Sequence, residues 1–171
     1  MGKIKIKQGD ITKEEVDVIV NAANSTLRGG GGVDGAIHRV AGKSVLDECI
    51  KIGGCATGNA VITNAGQLKA KKIIHTVGPV WQGGKNNEPA KLRSCYYKSF
   101  ELAKQHKLKT IVFPAISTGA FGYPIKDAAR IALEEGFKFQ LSFDEIRYIC
   151  FSENDFYVYE TVYEEILPNE F

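Results

Sequence analysis

One stretch of this sequence is apolar on neighbouring residues instead of alternate ones: DVIVNAAN at 17–24. A strand with one wet face alternates apolar and polar side chains, whereas a strand covered on both faces need not. This run reads as a buried strand. KKIIHTVGPV at 71–80 and TIVFPAI at 110–116 read as further strands. GAIHRVAG and SVLDECIKI read as two short helices after the first run. From Glu88 to His106, Leu92, Cys95, Tyr96, Ser99, Leu102 and Ala103 follow the i, i+3, i+4 rhythm of a helix. PIKDAARIALEEG starts with Pro124, a residue favoured at the first helical position. Phe156, Tyr159, Val162, Tyr163 and Ile166 mark one side of a terminal helix. KIKIKQGD, NAVITNA and EIRYICF add further strands. Strands and helices alternate along the chain, which predicts an α/β fold with helices on both faces of a largely parallel or mixed sheet.

The length of 171 residues, with no repeat or linker, predicts a single domain over 1–171. A net charge of +2 with scattered Lys and Arg gives no dedicated nucleic-acid stripe. The start, MGKIKIKQGD, lacks the apolar core of a signal peptide, and no apolar run suggests a membrane span. The expectation is a cytoplasmic protein with no membrane partner. Cys49, Cys55, Cys95 and Cys150 form no Cys-x-x-Cys pair, and His38, His75 and His106 stand at no metal-ligand spacing from them. Reduced thiols, no metal and no cofactor are expected.

Two bare loops stand at strand ends, where open α/β sheets bind their ligands. One is 21–34, NAANSTLRGGGGVD; the other is 117–123, STGAFGY. Glycine lets a ligand approach backbone N–H groups, and a helix start adds partial positive charge, so phosphate is the natural guest. Neither loop core holds lysine, which leaves backbone as the main grip. Gly30, Gly32 and Gly35 match the G-x-G-x-x-G spacing, but Asn21–Gly29 separate them from the strand end that the dinucleotide fingerprint requires. Gly42-Lys43-Ser44 lacks the earlier P-loop glycine, since Ile37 holds that position.

Asn24 and Asp34 flank the glycine run. Asn24 suits sugar hydroxyls. Asp34 reads either as a group that aligns or deprotonates water, or as a helix cap. His38, one helical turn on, reads as a site neighbour or a buried structural histidine. Asp10 reads as a hydrogen-bond acceptor for a purine amine or as a cap for the segment after it. Phe121 offers a surface for a sugar face. No nucleophile elbow surrounds Ser117, so direct attack by water is favoured over a covalent serine.

Together QGDIT at 8–12, VDVIVNAAN at 16–24, GGGGVDGAIHRVAG at 29–42, HTVGPVW at 75–81 and FPAISTGAFGYP at 113–124 resemble the macrodomain family, in its MacroD-type branch. The resemblance is close to bacterial O-acetyl-ADP-ribose deacetylases. It implies a three-layer α/β/α sandwich with a central mixed sheet that binds ADP-ribose. Asp10 would bond the adenine amine, Ile11 would offer a nearby N–H and Phe151 would stack near the base. Ala22, Gly31, Gly32 and Val33 would contact the ligand from the first loop, and Asn24 would hold the distal ribose. Ser117, Thr118, Gly119, Ala120 and Phe121 would wrap the diphosphate and ribose. Asp34 maps to the catalytic aspartate, with Asn24 and His38 beside it. The implied ligands are ADP-ribose, its esters and mono-ADP-ribosylated proteins, and the expected state is a monomer. A non-catalytic ADP-ribose reader and an ADP-ribose 1″-phosphate phosphatase are the alternatives. Phe121 stands where relatives often carry tyrosine.

Overall fold

The computed structural model describes residues 3–170. Among them, β1 (Ile4–Gln8), β2 (Val18–Ala23), β3 (Ala60–Asn64), β4 (Lys72–Val77), β5 (Thr110–Phe113) and β6 (Glu145–Cys150) form one six-stranded sheet in the order β1-β6-β5-β2-β4-β3. Every neighbouring pair is parallel except β3–β4, so the sheet is mixed with its one reversed strand at an edge. The helices are α1 (Gly32–Ala41), α2 (Lys43–Ile52), α3 (Glu88–Gln105), α4 (Ile125–Phe139) and α5 (Glu153–Glu170). No helix among the described residues is long and apolar enough to cross a membrane.

The non-alternating run of β2 behaves as a strand with two dry faces. Val18 and Val20 belong to a core shared with α3, α4 and α5, while Ile19 between them belongs to the core under α1 and α2. In β5, Ile111 and Phe113 face the first core and Val112 the second; Ile74 and Ile73 divide likewise. Successive strand side chains point to opposite faces, so a continuous apolar run buries both. The result is a three-layer α/β/α sandwich. Stacked aromatics fill the larger core: Phe100 lies on Phe139 with ring centroids 4.7 Å apart, and Phe113 on Tyr148 at 5.6 Å.

Two local expectations need correction. Pro124 is the N-cap of α4 and not its first helical residue: its ψ of 127° is extended, and its carbonyl accepts from Ala128 N. The glycine run is not all loop, because Gly31 is the N-cap of α1 and Gly32 its first residue. Parallel pairing brings the ends of β1, β6, β5 and β2 out along one edge of the sheet, and the chain leaving each of them meets there.

Candidate functional site

At that edge lies a cavity of about 300 Å³, within the size range of small-molecule sites. The β2 exit and the start of α1 form one wall, with Ala22, Asn24, Gly31, Gly32, Val33 and Asp34. The segment after β5 forms the other, with Ser117, Gly119, Ala120 and Phe121. The first N–H groups of α1 have no carbonyl one turn back to bind, and they open at this cavity. Ala23, Gly30, Gly78, Pro114, Ala115 and Ile116 also line it, residues assigned no ligand contact from the sequence. The signal for Gly78 was its place right after β4. A Cβ there would overlap the Ser117 and Ile116 side chains, so glycine lets the segment after β4 approach the segment after β5. Gly35 has the same cause, since a Cβ would run into the Gly30 carbonyl.

Asp34 is buried in the first turn of α1 and caps nothing. Its Oδ1 accepts from Asn21 Nδ2 at 2.8 Å. A Cβ placed on Gly30 would lie 3.3 Å from both Asp34 Oδ2 and Asn24 Nδ2, so these two atoms converge on the Gly30 wall of the cavity. Burial raises the Asp34 pKa above its ordinary value, against the lowering pull of the Asn21 bond and of His38. Behind Asn21 the network continues. Asn21 Nδ2 also stands 3.1 Å from His75 Nδ1, and His75 Nε2 is 2.9 Å from Thr63 Oγ1. Thr63 donates its hydroxyl to Asn64 O, which leaves its oxygen to accept from His75 Nε2–H. His75 is therefore the neutral Nε2–H tautomer, assigned from the network. Burial pushes its pKa down to about 3, reinforced by His38.

Asn24 is committed to its own loop. Its Nδ2 donates to Gly29 O at 2.7 Å, and its Oδ1 accepts from Thr26 Oγ1 at 2.8 Å and Leu27 N at 3.1 Å. In the second loop Ser117 adopts φ +67°, a rare conformation for a residue with a side chain, and its buried Oγ has no partner. Such strain concentrates at functional sites. Thr118 does not line the cavity, because its hydroxyl donates to Ala115 O at 2.8 Å and closes the turn.

Asp10, Ile11 and Phe151 lie off the cavity. The β1–β6 register pairs Gln8 with Cys150, so Asp10 and Phe151 follow on adjacent strands at the same edge. Asp10 is the N-cap of the 3₁₀ turn Ile11–Lys13, and its Oδ1 accepts from Thr12 Oγ1 at 2.6 Å and Thr12 N at 2.9 Å. Those bonds lower its pKa. The Ile11 side chain is buried in the core under α1, whereas the Phe151 ring is 85% exposed.

His38 lies off the cavity too. Its Nε2 is 3.5 Å from Asp34 Oδ1, an electrostatic contact beyond hydrogen-bond geometry, and both of its ring nitrogens lack a hydrogen-bond partner. Spacing excluded a metal-binding set, but the fold collects one: ligand atoms of His38, Cys49 and His75 all lie within 4.8 Å of one another. All four cysteines are free and buried.

The Macro domain family model matches residues 20–132, from β2 through the two loops into α4. A macro domain-containing protein of Caldanaerobacter subterraneus is 52% identical over 96% of this chain and 97% of its own length. The O-acetyl-ADP-ribose deacetylase of Escherichia coli is 49% identical over 92% of this chain and 93% of its own. A solved structure, a variant of the Oceanobacillus iheyensis macrodomain with ADPR, superposes with a TM-score of 0.89 at 42% identity, covering 95% of this chain and 92% of that one. Sheet order, paired loops and similarity across nearly the full length agree: this chain belongs to the macro domain family.

Proposed function

We propose that this chain is a hydrolase that binds ADP-ribose esters at the sheet edge and cleaves the ester on the distal ribose by direct attack of water. The carrying observation is the placement of Asp34. One carboxylate oxygen is held from behind by Asn21, and the other reaches the end of a cavity walled mainly by bare backbone. The deacetylase relative and the ADPR-bound neighbour support the ligand class. O-Acetyl-ADP-ribose is the first substrate, and mono-ADP-ribose on acidic side chains presents the same kind of ester.

The diphosphate rests on N–H groups at the start of α1 and in the loop at 117–121, with the Ser117 hydroxyl as an added donor. The ligand continues along the strand ends. From β2 to β1 there are three inter-strand gaps, or roughly 14 Å, enough to carry a base to Phe151 and Asp10. The exposed Phe151 ring gives it a stacking face, and Asp10 Oδ2, which the Thr12 bonds do not use, gives an acceptor. Those remote contacts hold the ester in place for attack. Asp34 aligns the water and takes its proton, a task that its raised pKa favours. Asn24 shapes the loop that carries the ribose, and the second hydrogen of its Nδ2, which the Gly29 bond does not use, is the donor for a ribose hydroxyl.

Product formation from O-acetyl-ADP-ribose and from a Glu-ADP-ribosylated protein tests this reading, alongside calorimetry with ADP-ribose. Asp34→Ala should lower kcat by about 10²–10⁴-fold and leave ADP-ribose affinity within a few-fold. Wild-type protein that binds but turns over neither substrate would make the chain a reader. Full activity in Asp34→Ala would remove Asp34 from the chemistry.

A further inference from the structure

Behind Asp34, away from the cavity, three side chains with metal-ligand chemistry meet from three elements: His38 of α1, Cys49 of α2 and His75 of β4. Cys49 and His75 are fully buried, and His38 keeps 12% of its side chain exposed while both of its ring nitrogens are buried. Cys49 Sγ lies 3.8 Å from His75 Nε2. On a tetrahedral zinc ion, bonds of about 2.3 Å to sulfur and 2.0 Å to nitrogen put those two atoms about 3.5 Å apart. The remaining separations lie within 4.8 Å, against about 3.3 Å for two nitrogens on one tetrahedral zinc, so binding draws the side chains together. Buried polar atoms in folded proteins nearly always have partners. Here both ring nitrogens of His38 and the Oδ1 of Asn21 have none, and each belongs to this cluster or touches it.

We propose that His38, Cys49 and His75 form a binding site for a divalent ion of the zinc class, whose occupation withdraws Asp34 from catalysis. On binding, the Cys49 thiol gives its proton to solvent and the thiolate takes the metal. The single proton of His75 moves from Nε2 to Nδ1, so Nε2 is free to coordinate and Thr63 Oγ1 loses that bond while keeping its own to Asn64 O. The Asn21 amide rotates, and its idle Oδ1 accepts from His75 Nδ1–H. That rotation takes Nδ2 away from Asp34 Oδ1. The carboxylate, 3.5 Å from His38 Nε2, is then free to fill the fourth position. A 2+ ion with one thiolate, one carboxylate and two neutral imidazoles carries no net charge, the form that a buried site tolerates best. Sulfur and imidazole ligands select zinc-class ions over magnesium and calcium.

The site stands on its own geometry, whereas its effect on turnover rests on the hydrolase reading. The test uses untagged, metal-stripped, full-length protein titrated with Co²⁺. One equivalent should bring up a thiolate-to-cobalt charge-transfer band and visible bands of four-coordinate cobalt. Zn²⁺ should abolish them, and Mg²⁺ should leave them unchanged. Cys49→Ser, with Cys49→Ala as a second variant, should lose the charge-transfer band and bind at least 100-fold more weakly. In the hydrolysis assay, stoichiometric Zn²⁺ should slow the wild type at least 10-fold. Cys49→Ser should keep the metal-free rate and ignore Zn²⁺. Absence of the band, or its survival in both variants, overturns the site. Zinc bound with turnover unchanged overturns the withdrawal of Asp34. A protein that hydrolyses nothing even without metal defeats the hydrolase reading, and the cobalt spectrum still decides the site.

Discussion

The two sides of Asp34 are built differently. In front, the cavity wall is mostly small residues, with glycines, alanines, a strained serine and the start of α1, joined by Val33, Ile116 and Phe121. Behind, it is side chain on side chain, running through Asn21 to His75 and Thr63, all buried. Backbone N–H groups suit a ligand that arrives and leaves, because they grip an anion without a permanent buried charge to neutralise. A side-chain network suits a group that must hold one orientation, because each member fixes the next. The molecule also carries an internal control for the first half of that contrast. The Glu88 carboxylate accepts from the backbone N–H groups of Gln82, Gly84 and Asn86 at 2.6–2.9 Å. Burial alone would raise its pKa, yet those bonds pull it down to about 2. Bare backbone can hold an anion here.

The contrast breaks if a front substitution destabilises the fold or a back substitution only weakens the ligand. The largest effect should come from the front. Gly78→Ala pushes a methyl group into Ser117, and ADP-ribose affinity should fall at least 10-fold by calorimetry, with the loop displaced and the sheet intact. At the back, Asn21→Ala leaves a buried carboxylate without its donor. Denaturant melts should show a loss of about 1–3 kcal/mol, and kcat should fall more than KM rises. Phe151→Ala removes an exposed ring, so stability should hold while ADP-ribose binding weakens by about 1 kcal/mol or more, on the scale of base–aromatic stacking. Glu88→Gln tests the backbone grip away from the cavity. Because the folded pKa is depressed, the stabilisation from ionised Glu88 is present above its ordinary value of 4.5 and fades as pH falls toward 2. The gap in Tm between wild type and Glu88→Gln should be widest above pH 4.5 and close below it.

Several features were legible because they are local. The non-alternating run of β2 reports burial on both faces, and glycines beside strand ends report exposed backbone. The cap role of Asp10 was legible as one of two readings, and the structure shows it in place. Other features were not. Asn24 read as a ribose ligand from its residue type, and nothing in its spacing showed that its amide also ties Gly29, Thr26 and Leu27 together. Thr118 read as part of the grip of the second loop, and its spacing did not show that its hydroxyl closes a turn on Ala115. Asn21 read as the first residue of the bare loop, whereas it lies inside β2, and nothing nearby marks it as the anchor of Asp34. Its other partner, His75, is 54 positions away.

By itself the sequence determined the layered α/β architecture, the two bare loops and the carboxylate at the end of one of them. Periodicity and backbone freedom are properties of short segments, and they survive without knowledge of the rest of the chain. Only the tertiary structure decided which oxygen of Asp34 Asn21 holds, which tautomer His75 holds, and that His38, Cys49 and His75 share one place. Those facts depend on α1, α2 and β4 packing against one another, and a distance between packed elements is not written in the spacing of their residues.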